Sequence, residues 1–295
     1  MFRKSWLGIL LLLTGSACEK DIDIDLQDAA NTLVVEATIE NNQPPLVILS
    51  SSLGFYSEIN ANVLEASFVR NAEVFVSNGT LRHKLREDSI QNLAGNTLYF
   101  YTNDPASPAT AFVGQLNTRY TLEIRANGNT YTAATSIPDI TRQVDSLWWE
   151  KVEDPDDSTL VKMIVRATDK PGFGNYIRYF TKTNEGRFLP GFNSVFDDQV
   201  IDGTTYTFPV DRGFDRNLPQ DDYEPFFNRG DTVTLKLADI DRVTYDFWRT
   251  LEFSYQSVGN PFSTPVKVLG NVSNGALGYF GGYAVQYHTL VIPPQ

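Results

Sequence analysis

Hydrophobic and polar residues alternate with a period of two in short segments between residues 32 and 137. This alternation is typical of β-strands that have one buried and one solvated face. The predicted strands cover residues 33–39, 46–50, 72–76, 98–101, 120–125 and 130–134. Asn-Gly pairs at 78–79 and 127–128 predict hairpin turns, because both central residues of the favoured turn need positive φ. We therefore predict an immunoglobulin-like β-sandwich over residues 31–138.

A second run of strand-like segments follows the Ile-Pro-Asp sequence at 137–139. Its predicted strands cover residues 145–150, 160–167, 176–181, 232–237 and 285–290. The proline and the change of pattern predict a domain boundary close to residue 138. Residues 139–295 are accordingly predicted to form a second, β-rich domain, so that the whole fold is mostly β.

One helix is predicted in this second domain. Its apolar residues recur every three or four positions, as expected for one face of a helix. They are Ile240, Val243, Phe247, Leu251 and Tyr255. Asp239 or Asp241 is suited to be the N-cap. Val243, Tyr245 and Phe247 also recur with a period of two, so a strand is the alternative.

The pattern breaks down between residues 184 and 229, where only 204–210 look like a strand. Long segments without regular structure are uncommon in compact domains and are often functional. This one holds four Arg and seven Phe, residue types that combine large contact area with directional contacts at interfaces. The candidate partner-contact residues are Phe192, Phe196, Phe226 and Phe227. The alternative is that these rings hold the segment against its own domain.

The N-terminus has the parts of a secretory signal: two basic residues, an apolar run over 6–13, and small residues before Cys18. Eight apolar residues are too few to cross a bilayer, which needs about 20. Residues 1–17 are therefore predicted to be a signal peptide. Cys18, the only cysteine, follows directly, which resembles the lipobox of bacterial lipoproteins and implies lipidation there. The usual lipobox has Leu where this chain has Gly15, and an ordinary signal peptide with an incidental cysteine is the alternative.

An acidic segment follows Cys18, and we interpret residues 18–30 as a hydrated tether beside a lipid anchor. Its first residues look like the export signal that sends Bacteroidota lipoproteins to the outer face of the outer membrane. The residues of this signal are Glu19, Lys20, Asp21, Asp23 and Asp25. The Asp spacing also imitates the start of a calcium loop, but the glycine and closing glutamate of that motif are missing. No metal site is predicted.

Composition limits the classes of partner. The formal net charge of −12 disfavours binding to nucleic acid and docking to anionic lipid through basic residues. With the single cysteine lipidated, no disulfide can form, and burial alone must stabilise the fold. The chain is 42% hydrophobic and holds 19 Phe and 14 Tyr, a richness in aromatics that favours sheets.

Candidate catalytic chemistry is sparse. His83 and His288 fall in separate predicted domains, so they make a poor acid–base or metal-binding pair. Acidic clusters at 154–157 and 221–224 are of the kind that a glycosidase uses, but solvated turns are the ordinary reason for such clusters. Trp148 is a candidate sugar-stacking or partner-contact residue; adjacent strand residues point to opposite faces, so Trp149 would then face the core. No catalytic residue and no cofactor are predicted.

Several stretches together resemble one family. They are LVVEATI at 33–39, NPFSTP at 260–265, GNVSNG at 270–275 and GYFGGY at 278–283. With the lipobox, they resemble the Bacteroidota lipoproteins grouped as domain-of-unknown-function family 4249. The resemblance implies a lipid-anchored surface or outer-membrane protein, of a family often encoded beside TonB-dependent receptors. It supplies no catalytic residues.

The leading functional hypothesis is a non-catalytic surface lipoprotein that assists a TonB-dependent transporter by binding its substrate or the receptor itself. A surface hydrolase acting on glycans or peptides is one alternative, motivated by the acidic clusters and the 184–229 segment. A structural envelope lipoprotein without a soluble ligand is the other. Co-purification with a β-barrel receptor would favour the first hypothesis over both alternatives.

Overall fold

The structure, a computed structural model, describes residues 31–53, 60–91, 95–153, 159–216, 224–258, 264 and 266–294. The first half contains β1 (Leu33–Glu40), β2 (Leu46–Ser51), α1 (Ala61–Ser67), β3 (Glu73–Ser77), β4 (Arg82–Lys84), β5 (Arg86–Gln91), β6 (Thr97–Thr102), β7 (Thr118–Ala126) and β8 (Asn129–Ile137). The second half contains β9 (Arg142–Lys151), β10 (Leu160–Asp169), β11 (Tyr176–Thr183), β12 (Leu189–Asp197), β13 (Thr205–Val210), β14 (Phe227–Asn228), β15 (Thr232–Ile240), α2 (Arg242–Gln256) and β16 (Leu277–Val291).

Strands arranged in several sheets dominate the molecule, which confirms the predicted mostly β architecture. The predicted helix is confirmed as α2, and Asp241 is its N-cap: its carboxylate accepts a hydrogen bond of 3.0 Å from the Thr244 amide. The prediction of little regular structure between 184 and 229 is wrong. β12 forms there because it pairs with β11 at the edge of a sheet and contacts α2, and local alternation does not reveal such contacts between distant segments.

An eight-stranded central sheet runs through both halves, in the order β12-β11-β15-β16-β1-β2-β6-β5. Its middle is the pairing of β1 with β16, the first and last strands, which run parallel with Val34 opposite Leu277 and Glu40 opposite Tyr283. Strands from either side of residue 138 therefore share one sheet. The predicted division into two domains stays a prediction.

The first sandwich packs the four-stranded sheet β4-β3-β7-β8 against β1, β2 and β16. Buried side chains from both sheets form one core, to which β16 contributes Phe280 and Ala284. Tyr120 is fully buried, and its hydroxyl accepts a hydrogen bond of 2.7 Å from the Gln115 amide. Tyr120 lies near the start of β7, and its hydroxyl bonds to the backbone five residues upstream. This arrangement is known as a tyrosine corner.

The predicted hairpin at 127–128 joins β7 to β8. Both Asn127 and Gly128 have positive φ, 53° and 77°, as a two-residue hairpin turn requires. Glycine and asparagine adopt this conformation at the lowest steric cost. The local sequence therefore fixes the register of these two strands.

The second sandwich packs the sheet of β9, β10, β13 and β14 against β11 and β15. It lies on the same face of the central sheet as the first sandwich. Next to its apolar core lies a fully buried ion pair, in which Arg142 donates to Asp169 at 2.7 Å. Asp239 is buried beside them, and burial raises the pKa of its carboxyl to about 6. The pair joins β9 to β10, so it ties the segment that follows residue 138 to the second sandwich.

Helix α2 packs on the opposite face of the central sheet. Its Phe247 stacks on Tyr279 of β16 with ring centroids 4.3 Å apart, and both rings are buried. Tyr245 stacks on Tyr176 of β11 at 4.7 Å. Within the described residues, neither helix is long and apolar enough to cross a membrane.

Candidate functional site

The two faces of the central sheet are covered unequally. Both smaller sheets pack on one face, whereas on the other face helix α2 packs mainly on β11, β12 and β16. Alternate residues of a strand point to opposite faces, and the register places Glu36 beside Ile48 and Tyr279 on the helix face. Much of this face is therefore left beside α2 without a covering layer of described residues, and it is the candidate binding surface.

An apolar patch occupies this face at the β1, β2, β5 and β6 side of the sheet. Its members are Val34, Leu46, Ile48, Ile90, Leu98, Phe100 and Leu277. Leu46, Ile90, Leu98 and Leu277 are between 39% and 60% exposed. Single exposed apolar residues are ordinary, but a row of them across neighbouring strands marks an interaction surface.

A cation–aromatic patch lies on the same face at the β11 and β15 side. It consists of Phe180, Lys182, Phe188, Lys236 and Tyr287. The Lys236 ammonium lies 5.2 Å from the Phe180 ring centroid and 5.9 Å from that of Phe188, and the Lys182 ammonium lies 5.6 Å from that of Phe188. Phe188 contacts Tyr287 with centroids 5.7 Å apart. Cations at these distances interact favourably with the ring faces.

Helix α2 is fixed to the sheet by a buried polar network. Arg178 donates from Nε to the Ser194 hydroxyl at 3.1 Å, and that hydroxyl donates to Glu252 at 2.5 Å. Arg216 donates to the same Glu252 carboxylate at 2.8 Å. Buried hydrogen-bonded charges of this kind impose one geometry. The helix is therefore a rigid wall of the candidate surface.

Glu36 lies on β1 between the apolar patch and the helix. Its side chain reaches solvent, but it is recessed among its neighbours, and burial raises the pKa of its carboxyl while the Arg178 charge opposes the change. Recessed acids with a perturbed pKa are common at binding sites as well as in structural networks. On geometry, Glu36 is suited to orient a polar group at the edge of the patch.

The five candidate contact residues lie on β9, on β12 and at the start of β14. Phe227 is fully buried in the second core, so its prediction as a contact residue is wrong: it packs beside Val161 of β10. Phe192 is partly buried, with its ring 5.6 Å from Phe214. This packing supports the alternative that Phe192 holds its segment in place.

Phe196 is 44% exposed, and its ring stacks on Tyr179 at 6.1 Å. Phe226 and Trp148 are half-buried, and the Trp148 indole donates to Glu150 at 3.1 Å. These three residues remain candidates, but they lie on β12, before β14 and on β9, and none belongs to the two patches. Cys18 and the export-signal residues Glu19, Lys20, Asp21, Asp23 and Asp25 lie outside the described residues.

Residues 186–189 and 212–215 contribute to the lining of a cavity of about 350 Å³ at the end of β11. Arg187 and Asp215 form an ion pair in its wall. The Gly213 amide donates to the Thr181 hydroxyl at 2.6 Å, and a Cβ on Gly213 would come within 2.4 Å of the Leu189 carbonyl oxygen. Glycine is therefore needed for this close approach, which holds the chain around Gly213 against β11 and the start of β12.

Both histidines have structural partners. The Asp104 amide donates to His83 Nε2 at 2.9 Å, so Nδ1 carries the proton and faces the Thr110 hydroxyl at 2.9 Å. Burial lowers the pKa of His83, which favours this neutral form. His288 contacts Gln286 on its own strand at 2.9 Å. The two rings lie on separate strands, β4 and β16, with different partners.

Asp169, Asp198 and Asp202 converge so that one oxygen from each lies within 4.8 Å of the others. Each already accepts backbone hydrogen bonds: Asp198 from Gly174 and Asn175, Asp202 from Gly172, and Asp169 from Gly203. Asp169 also pairs with Arg142. These bonds assign the three carboxylates to anchoring the turns beside β10 and β11.

The sequence contains a signal for the apolar patch, but a search for alternating hydrophobic and polar residues does not detect it. In β2 the residues 46–49 read Leu-Val-Ile-Leu, and in β6 the residues 98–101 read Leu-Tyr-Phe-Tyr. Such runs place apolar side chains on both faces of a strand. One face fills the core, so the other must be covered by another layer or exposed for a partner. The cation–aromatic patch had no local signal, because its residues come from four separate segments.

Comparison with known proteins places the chain in a family whose function has not been defined. The family model described as a domain of unknown function, DUF4249, matches residues 19–289. A search of curated proteins gave no match. Because the family model covers nearly the whole chain, this protein belongs to the DUF4249 family.

Proposed function

We propose that this protein is a non-catalytic, lipid-anchored outer-membrane protein that binds a partner protein, a TonB-dependent transporter, through the uncovered face of its central sheet. The observation that carries the proposal is the apolar patch beside α2, a broad exposed surface on a rigid sheet. The N-terminal sequence supports the anchor: an apolar run and small residues precede Cys18.

The shape and chemistry of the surface suit a protein partner. Protein interfaces combine an apolar centre with aromatic and cationic residues and a polar rim, and this face has an apolar patch, a cation–aromatic patch and the carboxylates of Glu36 and Glu40 on β1. A nucleic acid is disfavoured because the chain carries a net charge of −12. The sheet and α2 are held by their own cores, so the surface is preformed and binding costs little ordering.

The proposal is tested by affinity purification of the lipidated chain from outer membranes. The Leu98→Glu/Leu277→Glu variant places two charges in the apolar patch at positions already exposed to solvent. We expect it to lose co-purification of the β-barrel receptor while keeping its thermal unfolding midpoint, because its cores are unchanged. Cys18→Ala should separately abolish fatty-acid labelling and membrane attachment.

The matched control is Val200→Glu, which adds a charge at a position that is 92% exposed and follows β12, at the opposite edge of the central sheet from the patch. This control should co-purify the receptor as the wild type does. Retention of the receptor by the double variant, or its equal loss from the control, would contradict a docking role for the apolar patch. Normal fatty-acid labelling of the Cys18 variant would contradict the anchor.

A further inference from the structure

The cation–aromatic patch continues inward as a ladder of alternating rings and cations. In spatial order its members are Trp248, Arg178, Phe180, Lys236, Phe188 and Lys182. The Arg178 guanidinium lies 3.3 Å from the Trp248 ring centroid and 4.6 Å from that of Phe180. At the inner end the buried Arg178 lies against Trp248 of α2, whose indole donates to the Tyr283 hydroxyl at 2.9 Å. The ladder is therefore held rigidly at its inner end and reaches solvent at its outer end.

The outer end carries positive charge that the described part of the chain does not fully neutralise. Lys236 pairs with Glu40 at 2.5 Å, whereas Lys182 forms no ion pair with any described residue. Tyr287, which contacts Phe188, is 55% exposed. A cationic and aromatic surface is thus displayed by a chain with a net charge of −12. A positively charged patch on a negatively charged protein is a common basis for electrostatic selection of a partner.

We infer that this patch recognises an acidic segment of the partner protein, with a carboxylate placed at Lys182 and an apolar or aromatic side chain placed against Phe188 and Tyr287. The inference rests on the proposed function, because the partner bound by the apolar patch would carry this segment. Contact with rings supplies area at low entropic cost, and the lysine selects the sign of charge. The cation–aromatic patch therefore determines which partner is accepted. The apolar patch contributes the part of the binding that does not depend on the partner's charge.

The test measures binding of labelled peptide probes to the full chain by fluorescence anisotropy at low salt. The acidic probe is Glu-Phe-Glu-Tyr-Glu, and the reversed-charge probe replaces each Glu with Lys. We expect the acidic probe to bind, the basic probe not to bind, and added salt to weaken the interaction. Lys182→Glu should weaken binding of the acidic probe about tenfold, as expected for reversing a charge beside the ligand.

The matched control is Lys162→Glu on β10, where the lysine faces Glu150 far from the patch. It changes the net charge by the same amount, so a general charge effect would weaken binding equally in both variants and overturn the inference. Tyr287→Ala should weaken probe binding with the unfolding midpoint unchanged. Failure of the acidic probe to bind at millimolar concentration, or tighter binding of an oligogalacturonate that carries carboxylates without rings, would also overturn it.

The two proposals fail separately. If the Leu98→Glu/Leu277→Glu variant still co-purifies the receptor while Lys182→Glu loses the acidic probe, the apolar patch is not the docking surface but the acidic-segment site stands. If the receptor is lost from the double variant and Lys182→Glu behaves like Lys162→Glu toward the probe, the docking surface stands and the cation–aromatic patch does not select an acidic segment.

Discussion

At the scale of single residues, the most consequential groups are buried charges near the start of the second sandwich. Asp239 accepts hydrogen bonds from the Thr141 amide, at 3.1 Å, and from the Thr141 hydroxyl. Its second carboxylate oxygen has no hydrogen-bond partner among the described residues, and neither have Nε and Nη1 of Arg142. A buried carboxylate with one unpaired oxygen is costly to ionise. Burial accordingly raises the pKa of Asp239 to about 6.

This raised pKa predicts a pH dependence of stability. The folded state holds the Asp239 proton up to about pH 6, whereas the unfolded state releases it near 3.9. The folded state thus binds more protons between these values, so the contribution of Asp239 to the free energy of unfolding should rise as the pH falls from 8 to 4. In Asp239→Asn this rise should shrink by up to about 2–3 kcal/mol. Urea unfolding at several pH values measures both curves.

Glu185→Gln, at an exposed position, is the control for removing a carboxylate. Its plot of unfolding free energy against pH should follow that of the wild type. His83, whose pKa burial lowers, acts in the opposite direction, because the folded state resists its protonation below about pH 6.5. His83 is present in every variant, so the difference between curves isolates Asp239. Parallel curves for the wild type and Asp239→Asn would show that Asp239 is not the group responsible.

At the scale of elements, β16 is the strand on which the layers converge. Its even-numbered residues Phe280 and Ala284 enter the first core, and its odd-numbered residues Tyr279 and Tyr283 lie under α2. A strand between two packed layers needs small residues where another backbone comes close. Gly282 meets this need, because a Cβ there would lie 2.5 Å from the Ser136 carbonyl oxygen of β8.

We expect Gly282→Ala to destabilise the protein by about 1–3 kcal/mol, since the added methyl group meets backbone that cannot move without displacing β8. Gly281→Ala is the matched comparison. Its Cβ would meet only side chains, with Cε2 of Tyr279 at 2.7 Å and Cγ2 of Thr244 at 3.0 Å. Both side chains are buried, but a side chain can adjust without breaking strand pairing, so this variant should lose less stability than Gly282→Ala. Equal losses in urea unfolding would show that the β8 contact is not the constraint.

At the scale of the whole molecule, the first and last of the described strands meet in the centre of the principal sheet. β1 pairs with β2 on one side and with β16 on the other. The Asn271 side chain accepts from the Phe280 amide at 2.8 Å and donates to the Ala134 carbonyl at 3.0 Å, which ties the segment before β16 to the first sandwich. The first sandwich is therefore completed by residues from the far end of the sequence.

The sequence pattern alone predicts that fragments 27–138 and 139–295 each unfold cooperatively. The pairing of β1 with β16 leads us to expect otherwise for the first fragment, because it lacks Phe280 and Ala284 and leaves an edge of β1 unpaired. Adding residues 266–294 through a flexible linker should restore a cooperative urea transition. Cooperative unfolding of 27–138 alone would instead confirm that it is an independent domain.

The local sequence determined those strands, turns and helices that depend only on the pattern of neighbouring residues. Alternation predicted most strands, the Asn-Gly pair at 127–128 predicted its hairpin, and the spacing of apolar residues with Asp241 predicted α2. Tertiary structure alone decided the parallel pairing of β1 with β16, the burial of Phe227 and the assembly of the cation–aromatic patch. The physical reason is that period and turn chemistry depend on neighbouring residues, whereas strand order and shared surfaces depend on which distant segments bury each other's apolar faces.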